Sequence, residues 1–499
     1  MSIEAPPAPM LHRQQTAPVI GSPRNAFNVA ASQRLTQIPP ISSVTSPSQS
    51  SYAPSNRKFS SAATTLVSPI SSHGPFSATF KAGGAPLAPT SSIVNQAADS
   101  SKSLYQICLR TQQRLRRVPG LDEYSVFLEE TDASGDEEAS DPMARLWSCL
   151  RQGAPLLLIY NATEPNHPIS LTDELPTQLG SSSAASNDKL ARSRTMRFYK
   201  ACKDDLGIPD DQLFTIRDLH GSNTSGFVRV LGVVNRVLDI AESRGGLAED
   251  ETQMEEVKEV EDSAPTVKKS KRHHIINELV TTERKYVQHL EQLHEFKTSI
   301  EGKGSLSGDL LHRIFLNIDV ILDFQRRFLV KVEKVNALPE QQQRWGPLFI
   351  KSEYGFSVYN DYIVNLAGAQ TIAQRESEKL SGVSSNEFDQ KTLNAFLTKP
   401  FQRLGKYPLL LADLRDDCKP DEPDLRSELE HAHHVAIEMN RRANNAVHKQ
   451  ELADARQDFI ERVDDWKGLT VDHFGELMLY GTFGVVKRDG KGDVEREVG

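Results

Sequence analysis

Cysteine is scarce in this chain. There are four in 499 residues, Cys108, Cys149, Cys202 and Cys418, all far apart. No C-x-x-C pair occurs, which excludes the usual zinc and dithiol spacings and points to reduced thiols in a cytosolic protein. No apolar run reaches the roughly 18 residues that a membrane helix needs. The N-terminus lacks the apolar stretch of a signal peptide, so the expectation is an intracellular chain. An excess of positive charge is missing too: 58 Lys and Arg face 67 Asp and Glu, a net charge of −9. That argues against nucleic-acid binding by the chain as a whole. Catalytic signatures are equally thin, with no G-x-S-x-G and no H-E-x-x-H. Gly484–Lys491 has the outline of a phosphate loop but is one residue too long, and Gly492 stands where Ser or Thr is required. His431, His433 and His434 have no Cys or carboxylate completing a ligand set, so they read as a surface cluster. No metal and no cofactor is expected.

What is present divides by composition. Residues 1–100 hold 19 Ser and 13 Pro against 6 Lys/Arg and 2 Asp/Glu. Such a segment cannot bury enough apolar area to offset chain entropy, and a disordered tail is expected. Ser22, Ser46 and Ser68 each precede proline, a proline-directed phosphorylation pattern that also arises freely in Ser/Pro-rich sequence. From Ser103 onward apolar blocks appear. Leu104, Ile107, Cys108, Leu115 and Val118 predict a first helix. Leu146-Trp147, Leu156–Tyr160, Phe198–Cys202 and Leu213–Leu219 follow, then a helical run from Phe227 to Leu238. Two insertions, 129–141 with seven acids and the Ser/Ala-rich 180–194, read as loops. Glu249–Asp262 carries eight acids and one lysine and precedes the basic residues Lys268, Lys269, Lys271 and Arg272. It reads as a solvated linker, or as an acidic strap able to dock on a basic surface.

From Ile275 the pattern is helical to about residue 460. Positions 275, 276, 279, 280, 286, 287, 290 and 293 form one apolar face, and further helices are predicted over 306–334, 341–378, 387–417 and 424–463. Short joints between long helices imply an elongated bundle. The segment Leu397–Leu411 keeps helical periodicity through Pro400 and Pro408, although an interior proline removes a helix hydrogen bond. It must be held by packing on both sides. At about 100° per residue, Phe396, Leu397, Phe401, Leu404, Tyr407, Leu411 and Leu414 fall in an apolar sector. Lys399, Gln402, Arg403, Lys406 and Asp413 fall opposite, with Leu410 among them. Glu283 sits in the middle of the first helix's apolar face. A carboxylate there needs an internal Lys or Arg, or a partner from another molecule.

The wording KPFQRLGKYPLLL, Lys399–Leu411, resembles the signature helix of the Dbl-homology domain, the exchange module of Rho-family guanine-nucleotide exchange factors. ELVTTERKYVQHL, Glu278–Leu290, is similar to that family's first conserved region. The run from Phe198 to Asp239 resembles the calponin-homology domain in the divergent form found in fungal polarity exchange factors of the cell-division-cycle pathway. FGELMLYGTFGVVKRDG, from Phe474, is similar to the first strands of a pleckstrin-homology domain, with too little chain following to complete one.

The resemblance implies a mainly α chain. The expected order is a disordered tail (1–100), a calponin-homology-like domain (101–242), an acidic linker (243–268), a Dbl-homology bundle (269–463) and the incomplete start of a pleckstrin-homology β domain (464–499). It implies nucleotide exchange on a Rho-family GTPase, of the cell-division-cycle type, with no covalent chemistry. Glu283 then takes the place of the glutamate that binds switch I. Lys406 takes that of the lysine facing switch II, and Asn445 that of the asparagine in the last conserved helix, with Asn444 as competitor in register. Lys399, Gln402, Arg403 and Leu410 are the expected GTPase-facing neighbours. Polarity scaffolds and heterotrimeric G-protein pathway proteins are further partners it implies, with cytoplasmic residence and recruitment to the plasma membrane at sites of polarised growth. Two other readings remain: a GTPase-binding scaffold without exchange activity, and an actin-binding protein.

Overall fold

The first helices start where the sequence supplies a cap. Ser103 Oγ accepts from Gln106 N at 3.2 Å and opens α1, Leu104–Leu115. Asp141 caps α2, Pro142–Arg151, through Ala144 N at 2.6 Å. The computed structural model describes residues 97–129, 141–171, 184–249, 270–381, 390–478, 480, 483–489 and 492–498. Ser22, Ser46, Ser68, nearly all of the tail, residues 130–140, the stretch 250–262, Lys268 and Lys269 lie outside the described residues. Those described belong to one compact unit, His73–Gly499.

The first group of helices continues with α3, Ala154–Asn161, α4, Ala184–Asp204, α5, Ile216–His220, and α6, Thr224–Ser243. The Ser/Ala-rich insertion was expected to be a loop, but α4 begins within it. Ala, Leu, Lys and Arg there are good helix formers, and the end of α4 is anchored by buried Phe198, Ala201 and Cys202. Their core is apolar: Leu156, Leu157, Ile159, Phe214, Phe227 and Val234 are all essentially inaccessible. Trp147 stacks on Phe227 at 4.4 Å and donates its indole N–H to Leu219 O at 2.7 Å. Gly153, at the α2–α3 turn with φ 73°, is required twice over, since a Cβ there would lie 2.5 Å from Ala191 O.

The second group comprises α7, Lys271–Lys303, α8, Gly308–Phe315, α9, Ile318–Asn336, α10, Trp345–Ser352, α11, Val358–Arg375, α12, Ser377–Ser381, α13, Gln390–Asp416, and α14, Pro423–Arg462. Two predicted helices are divided. The expected 306–334 helix breaks at Leu316, whose φ is 52°, and 341–378 becomes α10, α11 and α12. All eight residues of the predicted apolar face of α7 are buried. Helix α13 is central, packed against α7, α11 and α14, and it carries both prolines without a break. Pro408 cannot donate to Leu404 O, the acceptor one turn back. Asn440 of α14 fills the vacancy, donating Nδ2 to that oxygen at 3.0 Å. Helix α9 is buried on several sides at once, from Gln325 and Arg326 through Phe328, Leu329, Val330, Val332 and Glu333.

Beyond α14 two strands, β1, Phe483–Asp489, and β2, Gly492–Val498, form an antiparallel hairpin with Phe483 opposite Val498 and Asp489 opposite Gly492. The fold is mainly α.

Candidate functional site

The crossing of α7 and α13 is fastened by charge. Glu283 is fully buried. Its Oε2 accepts from Arg403 Nε at 2.9 Å and Nη2 at 2.5 Å. Its Oε1 accepts from Gln325 Nε2 of α9 at 2.5 Å, and Tyr407 OH lies 3.2 Å from both carboxylate oxygens. Arg403 also donates to Thr282 Oγ1 at 2.8 Å and Leu279 O at 3.4 Å, and its guanidinium lies 4.8 Å above the Tyr407 ring. Burial works against the charged guanidinium, but the Glu283 carboxylate more than offsets it and holds Arg403 above its ordinary value. Burial, followed by the charge of Glu283, pushes the Tyr407 phenol up. The four side chains are an acid–base–amide–phenol set joining three helices, in which Gln325 Oε1 is buried without a hydrogen-bond partner. A buried pair of this kind fixes geometry more than it adds stability, because both ions have been taken out of water.

This corrects part of the sequence reading. Glu283 is not an unpaired acid offered to another molecule; its partner is Arg403. Arg403 was expected on the outer stripe and is buried. Leu410, also expected at the interface, is buried in the core. Phe401 was assigned to the core and is 48% exposed. These errors have one origin. Arg403 was taken for a surface cation and Phe401 for a core aromatic, so the drawn sector was rotated. Phe401 and Arg403 lie on nearly opposite sides of the helix, about 200° apart at about 100° per residue.

The true outer face of α13 carries Phe401, Gln402, Lys406 and Leu409, all exposed, with Lys399 at its edge. Burial and repulsion from Lys285 of α7 pull the Lys399 ammonium below the ordinary lysine range. On α7 the neighbouring surface holds Asn277, Glu278 and Thr281, all exposed. Thr282 Oγ1 donates to Glu278 O at 2.6 Å, so the hydroxyl that receives Arg403 also sits one turn from an exposed carboxylate. Asn445 and Asn444 are both exposed on α14. Asn444 is one turn beyond Asn440, which faces α13, so it shares that face, whereas Asn445 is turned further round. The surface thus offers an acid, two lysines, a glutamine, three asparagines, a threonine and two apolar side chains. Sequence reasoning missed Gln325, Tyr407 and Thr282 as polar members of the network. A glutamine in the apolar stripe of Ile321, Leu322, Leu329 and Val332 was the available signal.

His433 contacts Arg415 at 3.3 Å and His434 pairs with Glu430 at 3.1 Å. Among the described residues no group of His, Cys, Asp and Glu is arranged to hold a metal. Among them, too, no helix is long and apolar enough to cross a membrane.

Known families match on both helical groups. The RhoGEF domain matches residues 275–444, and the CDC24 calponin domain matches residues 141–238. The chain is 31% identical over 413 residues to the Rho guanine nucleotide exchange factor scd1 of Schizosaccharomyces pombe, covering 80% of this chain and 45% of that protein. It is 29% identical over 369 residues to the cell division control protein 24 of Saccharomyces cerevisiae, covering 72% and 41%. It is 27% identical over 218 residues to the human Rho guanine nucleotide exchange factor 9, covering 42% and 41%. The chain spans less than half the length of these relatives.

Proposed function

We propose that this chain, in which residues 275–444 match the RhoGEF (Dbl-homology) domain and residues 141–238 the CDC24 calponin domain, releases GDP from a Rho-family GTPase. The observation that carries the reading lies within the RhoGEF match: an open face on α7 and α13, bearing Glu278, Lys399, Gln402, Phe401 and Lys406, set on the buried Glu283–Arg403–Gln325–Tyr407 network.

Catalysis of exchange needs no covalent step. A GTPase holds its nucleotide and Mg²⁺ through switch segments ordered by those ligands. A protein that binds the switches better without nucleotide weakens nucleotide binding by the same factor. The face must therefore be rigid and already formed, which the buried network provides. Lys406 and Lys399 supply cations for acidic groups on one switch, Phe401 and Leu409 supply apolar contact, and Glu278 offers a carboxylate to the other switch. Glu283 acts from inside, by fixing how α7 crosses α13. Asn444 is the better placed of the two asparagines.

The cell-division-cycle member is the proposed substrate among Rho GTPases, and work at sites of polarised growth near the plasma membrane is the proposed setting. Polarity scaffolds and heterotrimeric G-protein pathway proteins are proposed as further partners, and the β1–β2 hairpin as the opening of a pleckstrin-homology domain. The test is fluorescent-GDP release from a panel of Rho GTPases by the full chain and by Lys406→Ala. Stimulated release that Lys406→Ala abolishes supports the reading. Binding of a GTPase without release by the wild-type chain overturns it in favour of a scaffold.

A further inference from the structure

Helix α9 has two working sides. One inserts Gln325 into the Glu283 network. The other receives the calponin domain, and the two alternate along consecutive residues. Asp323 Oδ1 accepts from Thr224 N at 2.6 Å, so α9 caps α6 from across the junction. Arg326, itself buried, donates to Ser225 Oγ at 2.8 Å and to Glu291 of α7 at 2.9 Å. Arg327 donates to Ser222 O and lies 5.7 Å over the Trp147 ring. Val330 of α9 is fully buried among the residues of the calponin core. Glu333, buried, accepts from Ser103 Oγ at 2.7 Å and from Arg284, the sequence neighbour of Glu283. Burial raises the Glu333 carboxyl, so its ionised form depends on both bonds.

The junction therefore ends on α9, which supplies Gln325 to Glu283, and, through Arg326 and Glu333, on α7, which carries Glu283. With the domain docked, Phe401, Gln402 and Lys406 stay exposed. We propose that the calponin domain is a clamp rather than a lid: seated on the outer side of α9, it positions the Glu283–Arg403 network, and Arg326 and Glu333 are positioning residues for exchange. The proposal rests on the exchange reading above and adds the sign of the effect. Loosening the dock slows exchange; it does not release it. Two rigid helices sharing consecutive residues between dock and network are a physical connection of the kind that carries coupling between sites.

The test loosens the dock from each side in the full chain. Asp323→Ala with Arg327→Ala removes contacts from α9 without touching the network, and Ser103→Ala with Ser225→Ala removes them from the calponin side. Each variant is checked for folding by its thermal transition. Turnover and KM for the GTPase are then measured with amide hydrogen exchange over 279–284 and 400–407. The clamp predicts that turnover falls about three- to tenfold, KM stays unchanged, and both segments lose protection. Glu333→Gln, which keeps an acceptor for Ser103, should retain most of the rate that Glu333→Ala loses. Turnover that rises or holds steady in both double variants overturns the clamp. If the wild-type chain releases GDP from no Rho GTPase, the exchange reading fails by itself. Hydrogen exchange still decides the clamp, and unchanged protection in the folded double variants overturns it. If one double variant does not fold, the other carries the decision.

Discussion

The two helical regions solve their interiors differently. The core of residues 104–247 is apolar, and the polar side chains it buries away from its helix caps are uncharged, among them Thr111, Gln112, Thr163, Thr195 and the Trp147 indole. The bundle from 275 to 447 buries a carboxylate, a guanidinium, an amide and a phenol in mutual contact at the crossing of α7, α9 and α13. An apolar core tolerates small adjustments of helix angle, whereas an ion pair with several directional bonds does not. The difference teaches that the bundle spends stability on geometry at the place where its open face is presented. Among the described residues the calponin core buries no comparable network of ionised side chains.

The largest expected effect would break the charged interior. Arg403→Ala leaves Glu283 buried and unpaired, and should cost about 3–5 kcal/mol in unfolding free energy. Replacing both Glu283 and Arg403 with leucine should recover much of that stability but not exchange activity. Urea denaturation and GDP release measured on the same samples separate the two. If the double variant exchanges normally, the network is packing and nothing more.

Next comes the apolar interior. Leu157→Ala, fully buried in α3, should cost about 3 kcal/mol through lost burial and the cavity left behind. No second substitution can restore it by removing a charge, which is the contrast with Arg403. Activity of the remaining folded fraction at low temperature should be near normal. A cost under 1 kcal/mol, from the same denaturation curves, would mean that this core is looser than its burial suggests.

A third pair of substitutions sharpens the division between inside and outside on α13. Lys406→Ala and Phe401→Ala should each shift stability by no more than about 0.5 kcal/mol, as surface changes do. Each should slow exchange roughly tenfold or more if it loses an interfacial contact. An unfolding midpoint lowered by many degrees in Phe401→Ala would restore the core assignment made from periodicity.

Much of the architecture could be read from the chain. Both helical groups, the path of α13 through its prolines and the apolar face of α7 follow from spacing alone. The site was legible in part. Lys399, Gln402 and Lys406 lie at or near the surface as expected, while Arg403 and Leu410 do not. Periodicity assigns faces by residue class, and here the class misled at two positions. A buried arginine is visible only when its carboxylate is found on another helix 120 positions away. An exposed phenylalanine is invisible to a rule that sends aromatics inward. The division at Leu316 and the docking of Val330 depend on tertiary contacts that no local pattern encodes.

The smallest effect lies at the far end of the α7–α9 contact and tests whether charge there has the same standing as at Glu283. Asp319 receives His294 Nδ1 at 2.8 Å and the Lys297 ammonium, and is 38% exposed. Burial works to raise its carboxyl, but the bonds from His294 and Lys297 win and lower it to about 2. Its folded value is thus below the unfolded one. The stability it contributes is fully present above roughly pH 4, the ordinary aspartate value, and is lost as pH falls toward 2. Because the pair meets solvent, the contribution is discounted to about 1 kcal/mol or less. Asp319→Asn should therefore lower stability slightly at pH 6 and leave the two proteins equal near pH 2, if both still fold there. It should leave GDP release unchanged, since Asp319 supports no part of the network. A drop in exchange rate as large as that of Lys406→Ala would show that geometry is transmitted along the whole length of α9, and that the charged interior does not end at Gln325.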